Sequence, residues 1–185
     1  MSEADLLRAV VARAGREGWT GATLRHALED RGEPPELASS HFPRGVTGAI
    51  DAWFAMVDEE MEAAAAGEDL ASLRMPARIR RLVELRLRAL EPDRDAFRSA
   101  AAVLSLPWNI PLGLRCAARS ASAIWYAAGD KSADFSWYTR RATLMAVLAA
   151  VTAFWLRPNP PTLEETLSFL DRRLEELPKS NPKHA

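Results

Sequence analysis

The sequence predicts an all-helical protein. Three observations carry that reading. Apolar residues recur at spacings of three and four along most of the chain, no run of β-branched residues alternates with period two, and proline and glycine cut the periodic stretches into helix-length pieces. Three short helices are expected first, then about six longer ones.

In order, Leu6, Leu7, Val10, Val11 and Ala14 form the first stripe, with Ser2 placed to cap it. A second helix runs from about Thr23 to Arg31 and stops at Gly32. A weak third lies around Glu36 to Phe42, before Pro43, Arg44 and Gly45 break the chain. A longer helix follows with Val46, Ile50, Trp53, Val57 and Met61 on one face, ending at Gly67. Pro76 opens the next, with Ile79, Leu82, Val83, Leu87 and Leu90 inward and Arg78, Arg80, Arg81, Arg86 and Arg88 mostly outward, a solvated face. Pro92 ends it, and a short helix spans Phe97 to Leu106. Asn109 is placed to cap a helix with Pro111 in its first turn, running to Gly129. A polar segment then leads into the uncharged stretch from Ala142 to Leu156, which Arg157-Pro-Asn-Pro-Pro161 stops. Thr162 and Glu165 form a capping box for the last helix, where Leu163, Leu167, Leu170, Leu174 and Leu177 repeat at helical spacing and call for a partner face.

Composition narrows the function. The chain has 185 residues, 48% of them hydrophobic and 26% charged, enough for a sizeable core. Its net charge of −1 gives no global field toward nucleic acid or anionic lipid, which leaves only local patches. The lone Cys116 excludes an intramolecular disulfide and fits a reducing compartment. No signal-peptide pattern is present, because Arg8, Arg13 and Arg16 interrupt and follow the first apolar run. The uncharged stretch from Ala142 to Leu156 falls short of the ~20 residues that cross a bilayer. It is expected to be a buried core helix, and any membrane contact to be peripheral.

Catalytic patterns are missing. There is no glycine-rich phosphate loop, nucleophile elbow or metal-type cysteine spacing. The residues three positions before His26, His41 and His184 are Thr23, Ala38 and Asn181, so no Glu-x-x-His pair exists for a di-iron site. No catalytic residues, metal ligands or cofactors are expected, and the chain is read as a non-enzyme.

Arg16-Glu-Gly-Trp19, the stretch from Thr20 to Gly32, and His41-Phe42-Pro43 together resemble the helix-turn-helix module of TetR-family regulators. The recognition segment argues against DNA binding. Between Leu28 and Gly45 the acids Glu29, Asp30, Glu33 and Glu36 outnumber the bases Arg31 and Arg44. A helix entering the major groove needs cationic phosphate contacts. Pro34 and Pro35 also limit its backward extension. Residues 1–45 are therefore expected to be a degenerate helix-turn-helix-like module that binds no nucleic acid. The alternative reading is a TetR-type transcriptional regulator with a small-molecule effector pocket.

Leu106-Pro-Trp-Asn-Ile-Pro111, Trp125-Tyr-Ala-Ala-Gly-Asp130 and Ser132-Ala-Asp-Phe-Ser-Trp-Tyr-Thr-Arg-Arg141 resemble signatures of the ubiquinone-biosynthesis family of the ninth Coq protein. The resemblance is strongest from about Leu104 to Glu176. It implies a TetR-like fold: the degenerate module, a six-helix lipid-binding domain over residues 46–178, and a disordered tail at 179–185. It further implies a role without catalysis, in which an isoprenoid quinone or phospholipid is bound and a polyprenyl quinone intermediate is presented to the separate di-iron demethoxyubiquinone hydroxylase. By the same resemblance, Asp134, Trp137 and Tyr138 belong to the hydroxylase-docking patch. Read alone, the adjacent Trp137 and Tyr138 do not share one helix face, so at least one is open for docking, or both anchor a helix start in the core.

Inward faces of the middle helices supply the expected lipid-binding residues Phe54, Val57, Leu82, Leu104, Leu114, Leu144 and Leu148, which equally describe a close-packed core. TetR-like proteins pair through their final helices, so a homodimer is expected. Mitochondrial relatives carry a presequence and a long amphipathic C-terminal helix. Without these, the chain reads as a protein of the bacterial cytoplasm, peripheral at the inner membrane. The helix bearing Arg78 to Arg88 is the expected membrane-facing surface.

Overall fold

The computed structural model describes residues 2–130 and 135–176, with residues 135–137 described by their backbone alone. Every regular element among them is helical. Helix α1, Glu3–Glu17, starts at a complete capping box between Ser2 and Asp5 and buries all five residues of its predicted stripe. Gly18, at φ +78°, ends it in a conformation that L side chains rarely adopt. Helix α2, Gly21–Glu29, is capped by Thr20. The weak third helix splits into a 3₁₀ turn, Pro35–Leu37, and the four-residue helix α3, Ala38–His41.

Helix α4, Gly45–Ala66, is the central strut. It packs against α5, Met75–Leu90, on one side and α7, Ile110–Ala127, on the other. Helix α6, Arg94–Leu104, lies against α1. Helix α8, Phe135–Trp155, covers α7, and α9, Leu163–Glu175, crosses α8 and α5. This is the predicted order, a three-helix module and then six longer helices.

One hydrophobic core runs from Leu6 in α1 to Leu170 in α9. Its centre is aromatic: the Trp53 ring lies 5.6 Å from Trp19 and 6.1 Å from Phe97, and Phe97 lies 5.7 Å from Trp155. The polar edges of these rings are satisfied, with Trp19 Nε1 donating to the Ala96 carbonyl at 2.9 Å and Trp155 Nε1 to Glu91 Oε2 at 3.0 Å. Trp19 thereby ties the N-terminal module to α6.

Three expectations are corrected. The leucine face of α9 is not open, because Leu167 and Leu170 are buried within their own chain against α8 and α5; Leu177 and the predicted tail lie outside the described residues. Asn109 precedes α7 but does not cap it. Its Nδ2 instead donates back to the Val103 carbonyl at 2.9 Å. Arg86, expected in the solvated set, is buried.

Candidate functional site

The buried Arg86 belongs to a polar network that no local pattern announces. Arg86 Nε donates to Asp58 Oδ1 at 3.0 Å and Nη2 to Ser120 Oγ at 3.2 Å, while Ser120 Oγ donates to Asp58 Oδ2 at 2.9 Å. One turn-pair earlier on α4, Asp51 accepts from Arg119 Nη1 at 2.7 Å and from Arg44 Nη2 at 2.8 Å. Burial alone would raise the Asp51 pKa, but the hydrogen bonds from Arg119 and Arg44 outweigh it and hold the carboxyl below its ordinary value. Burial, with the neighbouring Asp51 charge, pushes the Cys116 thiol up to about 11. Cys116 is therefore a protonated packing residue rather than a nucleophile. The network clamps α4 to α5 and α7 by hydrogen bonds that fix their relative rotation. The available sequence signal was the seven-residue spacing of Asp51 and Asp58 along the apolar side of α4.

Phe54, Val57, Leu82 and Leu144 are buried in the common core, and Leu104 and Leu148 pack on it half-buried. Phe54 stacks on Phe97 with ring centres 5.1 Å apart. Leu114 is not among them. It is 58% exposed, because the inward face of α7 is Leu112, Cys116, Ser120 and Ile124, and a residue two positions from Leu112 lies about 200° around the helix. The six remaining residues line neither of two clefts among the described residues. One, of about 810 Å3, lies between α1, the turn before α6 and Pro158 and Pro160. The other, of about 540 Å3, is bordered by Glu62, Glu68, Asp69, Tyr126 and Asp130.

At the junction of α7 and α8, Asp130 accepts from Arg140 Nη1 at 3.2 Å and faces Arg141 Nη1 at 3.5 Å. Trp125 Nε1 donates to the Arg140 carbonyl at 3.2 Å. Gly129, at φ +85°, turns the chain here, and Arg78 Nη1 holds the preceding Ala128 carbonyl at 3.0 Å. These bonds pin the start of α8, on which Tyr138 is 69% exposed; Tyr126, at the end of α7, is 76% exposed. Asp134 and the Trp137 side chain lie outside the described residues.

The two other expected surfaces also have a geometry. The recognition element is the four-residue α3, whose His41 faces Glu33 at 3.4 Å. The α5 arginines are occupied by carboxylates: Arg80 by Asp171, Arg81 by Glu68 and Glu84, Arg88 by Glu84, and Arg86 by Asp58. Arg78 binds backbone carbonyls. Four of the five arginines therefore meet four carboxylates, so most of the positive charge of this helix is paired within the chain.

The segment that contains α7, the pinned junction and α8 is also where the chain matches a known family: residues 110–181 match the COQ9 family model. Residues 110–181 thus resemble a COQ9 domain. It is 29% identical over 178 residues to the human mitochondrial ubiquinone biosynthesis protein COQ9, an alignment covering 92% of this chain and 56% of that protein. The Rattus norvegicus COQ9 protein is 38% identical over 98 residues, 53% of this chain and 31% of the relative. The Drosophila melanogaster COQ9 protein is 26% identical over 182 residues, 94% of this chain and 54% of the relative. The chain thus spans from about a third to just over half of the length of these COQ9 relatives. The crystal structure of a TetR transcriptional regulator from Nitrosomonas europaea superimposes with a TM-score of 0.73 at 21% identity, covering 94% of this chain and 95% of that one. The COQ9-like segment is therefore set in a TetR-like all-helical fold. No helix of the described residues is long and apolar enough to cross a membrane.

Proposed function

We propose that this protein is a non-catalytic accessory factor of ubiquinone biosynthesis, which binds a polyprenyl quinone intermediate and presents it to the di-iron demethoxyubiquinone hydroxylase at a membrane surface. The observation that carries the reading is the COQ9 match over residues 110–181, with relatives named for ubiquinone biosynthesis. The packing is compatible with it. Phe54, Val57, Leu82, Leu104, Leu144 and Leu148 belong to one continuous apolar layer, where a prenyl tail needs only apolar walls. The hydroxylase meets the pinned α7–α8 junction through Asp134, Trp137 and Tyr138.

The reading is tested by extracting purified protein with organic solvent and analysing the extract by mass spectrometry, then offering the delipidated protein a prenylated quinone. A co-purifying isoprenoid or phospholipid and saturable uptake are expected. An empty extract with no uptake would sink it.

A homodimer is part of the proposal, with its surface moved off the α9 leucines. The outer face of α8 carries Ala142, Ala146, Ala149 and Ala153, all exposed, and such a small-residue face lets a second copy approach closely. Light scattering is expected to give a dimer at micromolar concentration and a monomer for Ala146→Glu. A monomeric wild type would remove the dimer from the proposal.

A further inference from the structure

We propose that the corner joining α6 to α7 is a membrane-insertion element for an anionic bilayer surface. Leu106 is 38% exposed, Trp108 73%, Ile110 47% and Leu114 58%, so four large exposed apolar side chains crowd into nine residues. Exposure here is not looseness. Pro107 and Pro111 restrict the backbone, the amides of Asn109 and Ile110 donate to the Leu106 carbonyl at 2.8 and 3.1 Å, and Asn109 Nδ2 ties the corner to Val103. Gly113 lies so close to α6 that a Cβ there would meet Leu104 at 3.5 Å. The corner is thus a held apolar display, which marks a surface meant to be covered.

The charge around it selects the covering. From residue 96 to residue 129 the chain contains no acid, while Arg115 and Arg119 lie within that stretch; Arg98, also within it, pairs with Asp95 just before it. Arg115 is exposed beside Leu114. One turn further on, Arg119 shares Asp51 with Arg44, whose side chain is 60% exposed. Arg119 also faces Asp58, the partner of Arg86, so three guanidiniums meet two carboxylates; the cluster is net positive, and Arg115 adds to it. An apolar tip with Trp at its most exposed point and cations behind it matches the acyl–headgroup boundary of an anionic leaflet. The indole suits that depth, because its ring is apolar and its N–H reaches headgroup oxygens. A protein partner would have to offer an acidic rim around an apolar pocket, whereas an anionic bilayer offers both along its whole surface. The corner holds the Leu106–Pro111 motif, and this inference rests on the lipid-carrier reading in giving that carrier its point of entry to the membrane.

Vesicle flotation tests it, using phosphatidylcholine vesicles with and without phosphatidylglycerol. Wild type is expected to float with the anionic vesicles and much less with the neutral ones. Trp108→Ser is expected to lose about tenfold or more in partitioning. Leu114→Ser should lose several-fold, and Leu37→Ser, at a leucine 40% exposed elsewhere on the protein, should behave as wild type. Thermal melts of all three should match wild type, since each side chain is exposed; if Trp108→Ser melts early, Leu114→Ser decides. Wild type that stays with the buffer, or variants that float as wild type does, would overturn the inference. So would a concentration-dependent oligomer that dissolves in Trp108→Ser, which would assign the corner to a second copy. Quinone uptake from detergent micelles, measured in parallel, separates the two proposals: uptake without flotation fails only the membrane corner, and flotation without uptake fails only the carrier reading.

Discussion

Arg86→Ala is expected to lower the melting temperature by about 6–20 °C. The substitution leaves the Asp58 carboxylate, only 6% exposed, without its guanidinium, and breaking one side of a buried pair costs about 3–5 kcal/mol. In a chain of this size each kcal/mol moves the midpoint by about 2–4 °C. Ser120 still donates to Asp58, but Arg119 Nε, at 3.7 Å, is beyond good hydrogen-bond reach. The double change Arg86→Leu with Asp58→Leu should recover most of the loss, because it removes both desolvated charges and substitutes apolar volume. Thermal unfolding followed by circular dichroism reads both. A shift within a degree of wild type for the single variant would mean that Arg86 contributes nothing net to the clamp.

Tyr138→Glu should weaken binding to the di-iron hydroxylase at least thirtyfold while leaving the melting temperature alone. At 69% exposure, Tyr138 stands clear of the core, and its helix start is held independently by Asp130 and Arg140. Truncating a central aromatic anchor commonly costs about 2 kcal/mol or more, which is about thirtyfold in affinity. Glu adds a carboxylate that docking would have to desolvate. Calorimetry with purified hydroxylase measures the binding, and a thermal melt checks the fold. Unchanged affinity in a folded variant would take Tyr138 out of the interface. A variant that melts early would show that the ring serves the fold instead.

The two expectations differ in how much of their basis was legible beforehand. Tyr138 stood in the sequence as part of a motif, because Trp-Tyr-Thr-Arg-Arg is a contiguous run. The Arg86 clamp did not. Its members are separated by 28, 34 and 62 positions, and on its own helix Arg86 reads as one arginine among five on a solvated face.

What the sequence determined by itself is local in physical origin. Capping boxes at Ser2 and Thr162 act over three residues, helix faces follow from the 3.6-residue period, and Pro and Gly stop helices through their own backbone limits. These settled the element order and the all-helical class, and the contiguous motifs pointed to the COQ9 likeness of residues 110–181. Tertiary structure decided which face of each helix meets its neighbours. Leu114 looked as apolar as Leu112, yet α4 docks against the Leu112 side of α7 and leaves Leu114 in solvent. The α9 leucines asked for a partner and found it inside their own chain, on α5 and α8. A helix's periodicity says that one face must be covered; the covering partner depends on the rotation and crossing of helices far apart in sequence, which no single window of residues contains.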